Sequence, residues 1–252
     1  MPAGRLCAGL ATATATLAGL VARNDQDMRI PACPDWTLRQ LATHVGRAHR
    51  WAAEIVATRS AEFIEFRSVP DGKSPASPDG QASWLTAGAG RLIDAVRAAG
   101  DDLVWAFTSQ CPASFWARRM THETLVHTAD VQLAVAEAID IPADLAVDAI
   151  DEWLTVMSPL NNGGNDLASV IPSGTTMGVQ VTSHDAASEW LITHSSAGVR
   201  VLPGPGSSDV TLAGPAGDVL LVLMRRMPVS SPSVHVSGDT IVLDRWLALT
   251  AF

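Results

Sequence analysis

The 252-residue chain sets 17 lysines and arginines against 26 aspartates and glutamates, a formal net charge of −9. That balance, with the basic residues scattered rather than gathered into a stripe, argues against nucleic acid as a partner. Cysteines 7, 33 and 111 are odd in number, far apart and without a CxxC pair, which fits a reduced, cytoplasmic setting better than a disulfide framework.

The amino-terminal run RLCAGLATATATLAGLV has an early arginine and small residues, in the manner of a weak signal peptide. Threonines interrupt it, and Leu6, Leu10, Leu17, Leu20 and Val21 recur at helical spacing, so the run reads as an amphipathic helix over 6–23. No stretch approaches the ~20 apolar residues needed to cross a bilayer, and no membrane partner is expected. Pro31 and Pro34 then impose a turn. Thr37 and Gln40 form a capping box for a second helix, whose Leu38, Leu41, Val45, Ala48, Ala52 and Ile55 share one face with His44 beside them. Residues 60–80 are rich in turn formers. A third helix over 81–99 carries Trp84, Leu85, Leu92 and Val96 and stops at Gly100. After a short apolar segment, Leu103 to Phe107, a fourth helix starts near Pro112 and extends to about Ala138. Four helices joined by loops describe a bundle, whose interior can build a metal site from facing side chains.

Beyond residue 160 short runs alternate with turns. NNGGND marks a boundary, giving a helical domain over 1–160 and a small α+β domain over 161–252. GVQVTS, SEWLITH, GVRVLPG and DVTLAG read as strands, with SSAG as a hairpin turn. GPAGDVLLVLMRR reads as a helix, SVHVSG as a strand and DTIVLDRWLAL as a closing helix, and no internal repeat is present.

In RRMTHETLVHTADVQ, Glu123 and His127 stand four apart and project from one side of a helix. Their stripe continues through Trp116, Met120, Val131 and Ala134, not through Arg118 and Arg119. Polar groups on a core-facing stripe require a partner. A divalent metal supplies one, with His44 as third ligand; two imidazoles and a carboxylate suit zinc and leave a coordination position open. The competing readings are a solvated surface pair or a hydrogen-bonded core histidine. Asp130, three after His127, is either the acceptor of the ring N–H not used on metal or an exposed carboxylate. HETLVH is not the zinc-protease motif, because His122 and His127 are five apart and diverge. His49 should point away from His44, and His184, His194 and His235 read as surface or strand-edge residues. Cys33 reads as a small buried thiol, and no GxSxG elbow or phosphate loop is present. Arg225 and Arg226 end a helix, where cations oppose the negative end of its dipole; an alternative is that one grips an anionic substrate group.

CPDWTLRQLATHVGRAHRWAAEIV, FWARRMTHETLVHTADVQLA and DVLLVLMRRM resemble the mycothiol-dependent maleylpyruvate isomerase family, and the likeness covers most of the chain. It implies an amino-terminal DinB-like four-helix metal-binding bundle followed by a smaller α/β domain. It implies a divalent metal, typically zinc, on His44, Glu123 and His127, and mycothiol as thiol cofactor, with the helix bearing Arg225 and Arg226 helping to hold cofactor or substrate. The resulting expectation is a metal-dependent, mycothiol-using isomerase or S-transferase acting on a small electrophilic, maleylpyruvate-like substrate, as a monomer or homodimer. A hydrolase using activated water and a non-catalytic small-molecule binder, its VLLVLM helix lining a cavity, are the alternatives.

Overall fold

The computed structural model describes residues 1–157, 172–182, 187–195 and 198–250. They fall into two compact units, Met1–Ile139 and Asp140–Phe252. The boundary expected at NNGGND lies outside the described residues, as do His184 and the centre of the SSAG turn.

Apolar residues at helical spacing build the first unit from α1 (Ala3–Arg23), α2 (Leu38–Ala57), α3 (Pro78–Ala99) and α4 (Ser114–Ala134). The Leu/Val stripe of α1 is buried against α3 and α4. This helix nevertheless meets the length and composition of a membrane span, with a mean hydropathy of 1.4 over its most apolar 18 residues, which corrects the expectation that no stretch approaches one. Its threonines, the interruptions expected to exclude a span, lower the mean less than charges would. Thr37 and Gln40 form the capping box of α2, the Gln40 side chain accepting from the Thr37 N–H at 2.8 Å. Ser77 caps α3, with Pro78 where a missing N–H costs nothing. Gly46 lets α2 and α3 approach, since a Cβ there would collide with the Trp84 ring.

Two short antiparallel hairpins, absent from the sequence reading, flank these helices. β1 (Arg29–Ile30) pairs β2 (Cys33–Thr37), and β3 (Leu103–Ala106) pairs β4 (Ser109–Pro112). The chain around Pro31 and Pro34 therefore does more than turn: it carries Cys33 and Trp36 into the unit. Helix α4 also stops earlier than the expected Ala138. Ala136 adopts φ 55°, its N–H donates to the Leu133 carbonyl, and the Glu137 N–H donates to the Gln132 carbonyl. That is a Schellman end with alanine where glycine is favoured. Ala136→Gly should therefore stabilise the protein by about 1 kcal/mol, read as a raised midpoint in chemical denaturation.

The second unit begins with a helix the sequence reading did not assign. In α5 (Ala143–Glu152) Leu145, Ala146, Ala149 and Ile150 form the buried face, and a π-helical turn, Trp153–Met157, follows. A mixed sheet has the strand order β7-β6-β5-β8-β9, from β5 (Thr176–Val181), β6 (Ser188–Ser195), β7 (Gly198–Pro203), β8 (Val210–Gly214) and β9 (His235–Gly238). Strands β5 and β8 run parallel and the other neighbours antiparallel. Alternation puts Met177, Val179, Val181, Trp190, Ile192 and Leu212 inside. His194 follows that phase and is buried, not at the surface as expected; its Nδ1 sits 3.1 Å from the Pro172 carbonyl. His235 is exposed on edge strand β9.

Helix α6 (Ala216–Leu223) is apolar apart from Asp218 in its first turn, and Val219 to Met224 are all buried. Arg225 follows with φ 61°; its N–H and that of Arg226 close on the Val222 and Leu221 carbonyls. The Arg226 guanidinium donates to the Met224 carbonyl at 2.7 Å. Both arginines thus finish the helix through backbone geometry and direct capping. Asp239 caps the last helix, α7 (Thr240–Leu249), accepting from the Ile241 N–H.

Candidate metal centre

Helices α2 and α4 face each other in opposite directions. His44 meets Glu123, while seven residues further along α2 and seven back along α4, Trp51 meets Trp116 with ring centroids 5.0 Å apart. Seven residues are close to two helical turns, so both pairs lie on one seam. His49, five after His44, turns into the core instead, where its Nε2 lies 2.8 Å from Thr124 Oγ1.

Glu123 is the hub. Its Oε1 is 2.9 Å from His44 Nε2 and 3.4 Å from His127 Nε2, and its Oε2 accepts from Arg119 at 2.8 Å. Burial opposes the carboxylate charge. The contacts with His127 and His44 and the charge of Arg119 outweigh it and hold Glu123 well below the ordinary carboxylate range. Arg119 is itself buried one turn before Glu123, contrary to the reading that set it off this stripe. The i,i+4 spacing of Arg119 and Glu123 is the sequence signal for this pair.

The second imidazole is fixed from behind. His127 Nδ1 lies 2.9 Å from Oδ2 of the fully buried Asp130, which is therefore an internal partner of the ring and not an exposed carboxylate. Cys33 Sγ lies 3.6 Å from the same oxygen. Trp36, on β2, packs its ring 4.8 Å from that of His44 and 5.9 Å from that of His127. Neither Cys33 nor Trp36 was singled out for this site from sequence, because both arrive through the hairpin, a contact no local periodicity encodes.

The residues fit a cation. Ligand atoms of His44, Glu123 and His127 all fall within 4.8 Å of one another. His127 Nε2 is buried without a hydrogen-bond partner, its approach to Glu123 lacking hydrogen-bond alignment. Burial disfavours charge on His127, yet Asp130, Cys33 and Glu123 together raise its pKa well above the ordinary histidine range. Positive charge is therefore wanted between two buried carboxylates, and a metal ion would supply it with release of a proton. The His44 side chain is 37% exposed, which leaves the seam open on that side.

The pH response of the neighbouring core has a definite sign. Burial, reinforced by Arg50, lowers the His49 pKa from 6.5 to about 4. Above the unfolded value neither state holds the proton; below it the unfolded chain takes one up that the folded chain refuses. Stability is thus lost as pH falls from 6.5 towards 4, by about 3 kcal/mol. Urea denaturation of the wild type and of His49→Gln across that window should show the slope flattened in the variant.

A helical unit with a His/Glu/His seam, followed by a mixed-sheet unit, defines the architecture of a two-domain protein with a candidate metal centre. The chain belongs to the mycothiol maleylpyruvate isomerase family: residues 7–132 match its amino-terminal domain and residues 144–245 its carboxy-terminal domain. The fold is similar to that of a crystal structure of the mycothiol-dependent maleylpyruvate isomerase, with TM-score 0.63 and 16% identity, covering 95% of each chain. A histidine-to-alanine variant of that enzyme gives TM-score 0.62 and 15% identity over the same share. No curated protein sequence matches this chain.

Proposed function

We propose that this protein is a divalent-metal-dependent enzyme that uses mycothiol to act on a small electrophilic substrate, as an isomerase or a thiol S-transferase, with zinc as the ion that best suits its donors. The observation that carries the reading is the convergence of His44, Glu123 and His127 within 4.8 Å. Family membership supports the thiol, since both family domains are defined by a mycothiol-dependent isomerase.

In this reading His44 and His127 offer Nε2 and Glu123 offers Oε1. Arg119 engages Oε2, so the carboxylate presents a single oxygen to the seam. Asp130 accepts the Nδ1 proton of His127, which leaves the lone pair on Nε2. Trp36 walls the two imidazoles and limits water on that side. When bound, the cation favours thiolate over thiol at neutral pH, and mycothiol supplies that sulfur as nucleophile. The half-exposed edge of His44 is where substrate approaches.

Thermal unfolding of zinc-loaded protein titrated with mycothiol tests the proposal. A ligand that binds only the folded state raises the melting temperature, with about 2.7 kcal/mol gained at a hundredfold excess over Kd. A rise in the wild type that disappears in His44→Ala is expected. No shift with mycothiol, or turnover undiminished in thiol-free buffer, would contradict it, the latter favouring activated water.

A further inference from the structure

The imidazole of His127 belongs to two donor sets. Its Nε2 faces Glu123 and, with His44, completes the set described above. On its Nδ1 side Asp130 Oδ2 lies at 2.9 Å, and Cys33 Sγ lies 3.6 Å from that oxygen. Ligand atoms of Cys33, His127 and Asp130 also fall within 4.8 Å of one another.

The two sets differ in chemistry. In the first, Arg119 sits 2.8 Å from the single carboxylate, so its positive charge opposes an incoming cation. The second joins a carboxylate to a thiol that becomes anionic on coordination. Sulfur with imidazole favours soft or borderline ions over magnesium or calcium. We propose that Cys33, Asp130 and the Nδ1 nitrogen of His127 form a second cation site, selective for thiophilic divalent ions such as cadmium, whose occupation excludes an ion from the site at His44, Glu123 and His127 Nε2.

Exclusion follows from the ring. A neutral imidazole has one lone pair and one N–H. An ion on Nε2 leaves the proton on Nδ1, where Asp130 accepts it. An ion on Nδ1 leaves the proton on Nε2, which then has no lone pair to offer, and the first set is closed with that N–H 3.4 Å from Glu123 Oε1. The second site also ties α4 to strand β2, which carries Trp36 against both imidazoles. Thiophilic metals would therefore act on the catalytic seam from behind it.

The test adds cadmium alone to the metal-free full chain, reading the ultraviolet thiolate-to-cadmium charge-transfer band and the ions bound per chain by equilibrium dialysis. The wild type should show the band with one ion bound. Cys33→Ser should lose the band and still bind one ion, whereas His44→Ala should keep the band; circular dichroism of each, with Cys33→Ala as a second variant lacking that thiol, establishes folding. A wild type without the band, or a band unchanged in Cys33→Ser and so arising at Cys7 or Cys111, overturns the proposal. So does loss of the band in His44→Ala. Two ions on the wild type, or none on Cys33→Ser, overturns the exclusion: in the first case both sites fill together, in the second no first site exists to be excluded.

Discussion

Glu123→Gln is expected to weaken zinc binding at least ~100-fold and to destabilise the metal-free protein. Partners of metal ligands, one bond removed from the ion, already cost ~10–100-fold when mutated, so a direct anionic ligand should reach or exceed the upper end. The stability loss has a separate origin. Arg119 is buried against Glu123 at 2.8 Å, and removing one charge of a buried pair leaves the other inadequately compensated, at a cost of about 3 kcal/mol. Isothermal titration with zinc and urea denaturation of metal-free protein measure the two effects independently. Wild-type zinc affinity in the variant would remove Glu123 from the ligand set; unchanged stability would mean that the Arg119 pair contributes no net energy.

Trp116→Ala should cost about 4 kcal/mol, from the cavity and lost burial of a large aromatic core residue. Trp116 is fully buried, its rings lie 5.0 Å from Trp51, 5.3 Å from Phe107 and 5.4 Å from Phe115, and its Nε1–H donates to the Trp105 carbonyl at 2.8 Å. The substitution therefore opens a void at the centre of an aromatic cluster and leaves that carbonyl without its donor. Because Trp116 lies two turns before Glu123 on the same seam, zinc affinity should fall as well, but by less than in Glu123→Gln. A denaturation midpoint close to that of the wild type would show that the cluster around Trp51 and Trp105 closes over the missing ring.

The bundle was legible wherever one helix face alone decides the structure. The stripes of α1, α2 and α3, the Thr37/Gln40 box and the stop at Gly100 are local signals, and the elements follow them. The pair Glu123/His127 was legible for the same reason, being a spacing on one helix, and His44 because it interrupts an apolar face. What sequence did not disclose is long-range or conformational. Arg119 is drawn inward by the charge on Glu123, and Cys33 and Trp36 are delivered by a hairpin whose prolines read as a simple turn. The end of α4 depends on a left-handed alanine, which composition does not announce. His194 is buried because it shares the strand phase of Trp190 and Ile192, whereas an imidazole, intermediate in burial by type, gives no signal of its own.

The two units also differ in how their side chains explain function. In the first, Arg119, Glu123, His127 and Asp130 form a connected set of buried polar groups, met by the partly exposed His44, that a core built for stability alone would replace with apolar residues. In the second, the apolar α6 is consumed by packing, and its two terminal arginines are engaged at the helix end. Any part Arg225 takes in holding an anion would have to draw on its exposed side chain.

Metal analysis of the zinc-loaded Cys33→Ser protein, with and without His44→Ala, paired with circular dichroism, tests the central claim most directly. One tightly held zinc ion per chain in Cys33→Ser, lost when His44→Ala is added with the helical signal unchanged, is the predicted result. A Cys33→Ser protein that retains no ion after zinc loading, or a double variant that holds zinc as firmly as Cys33→Ser alone, would contradict it.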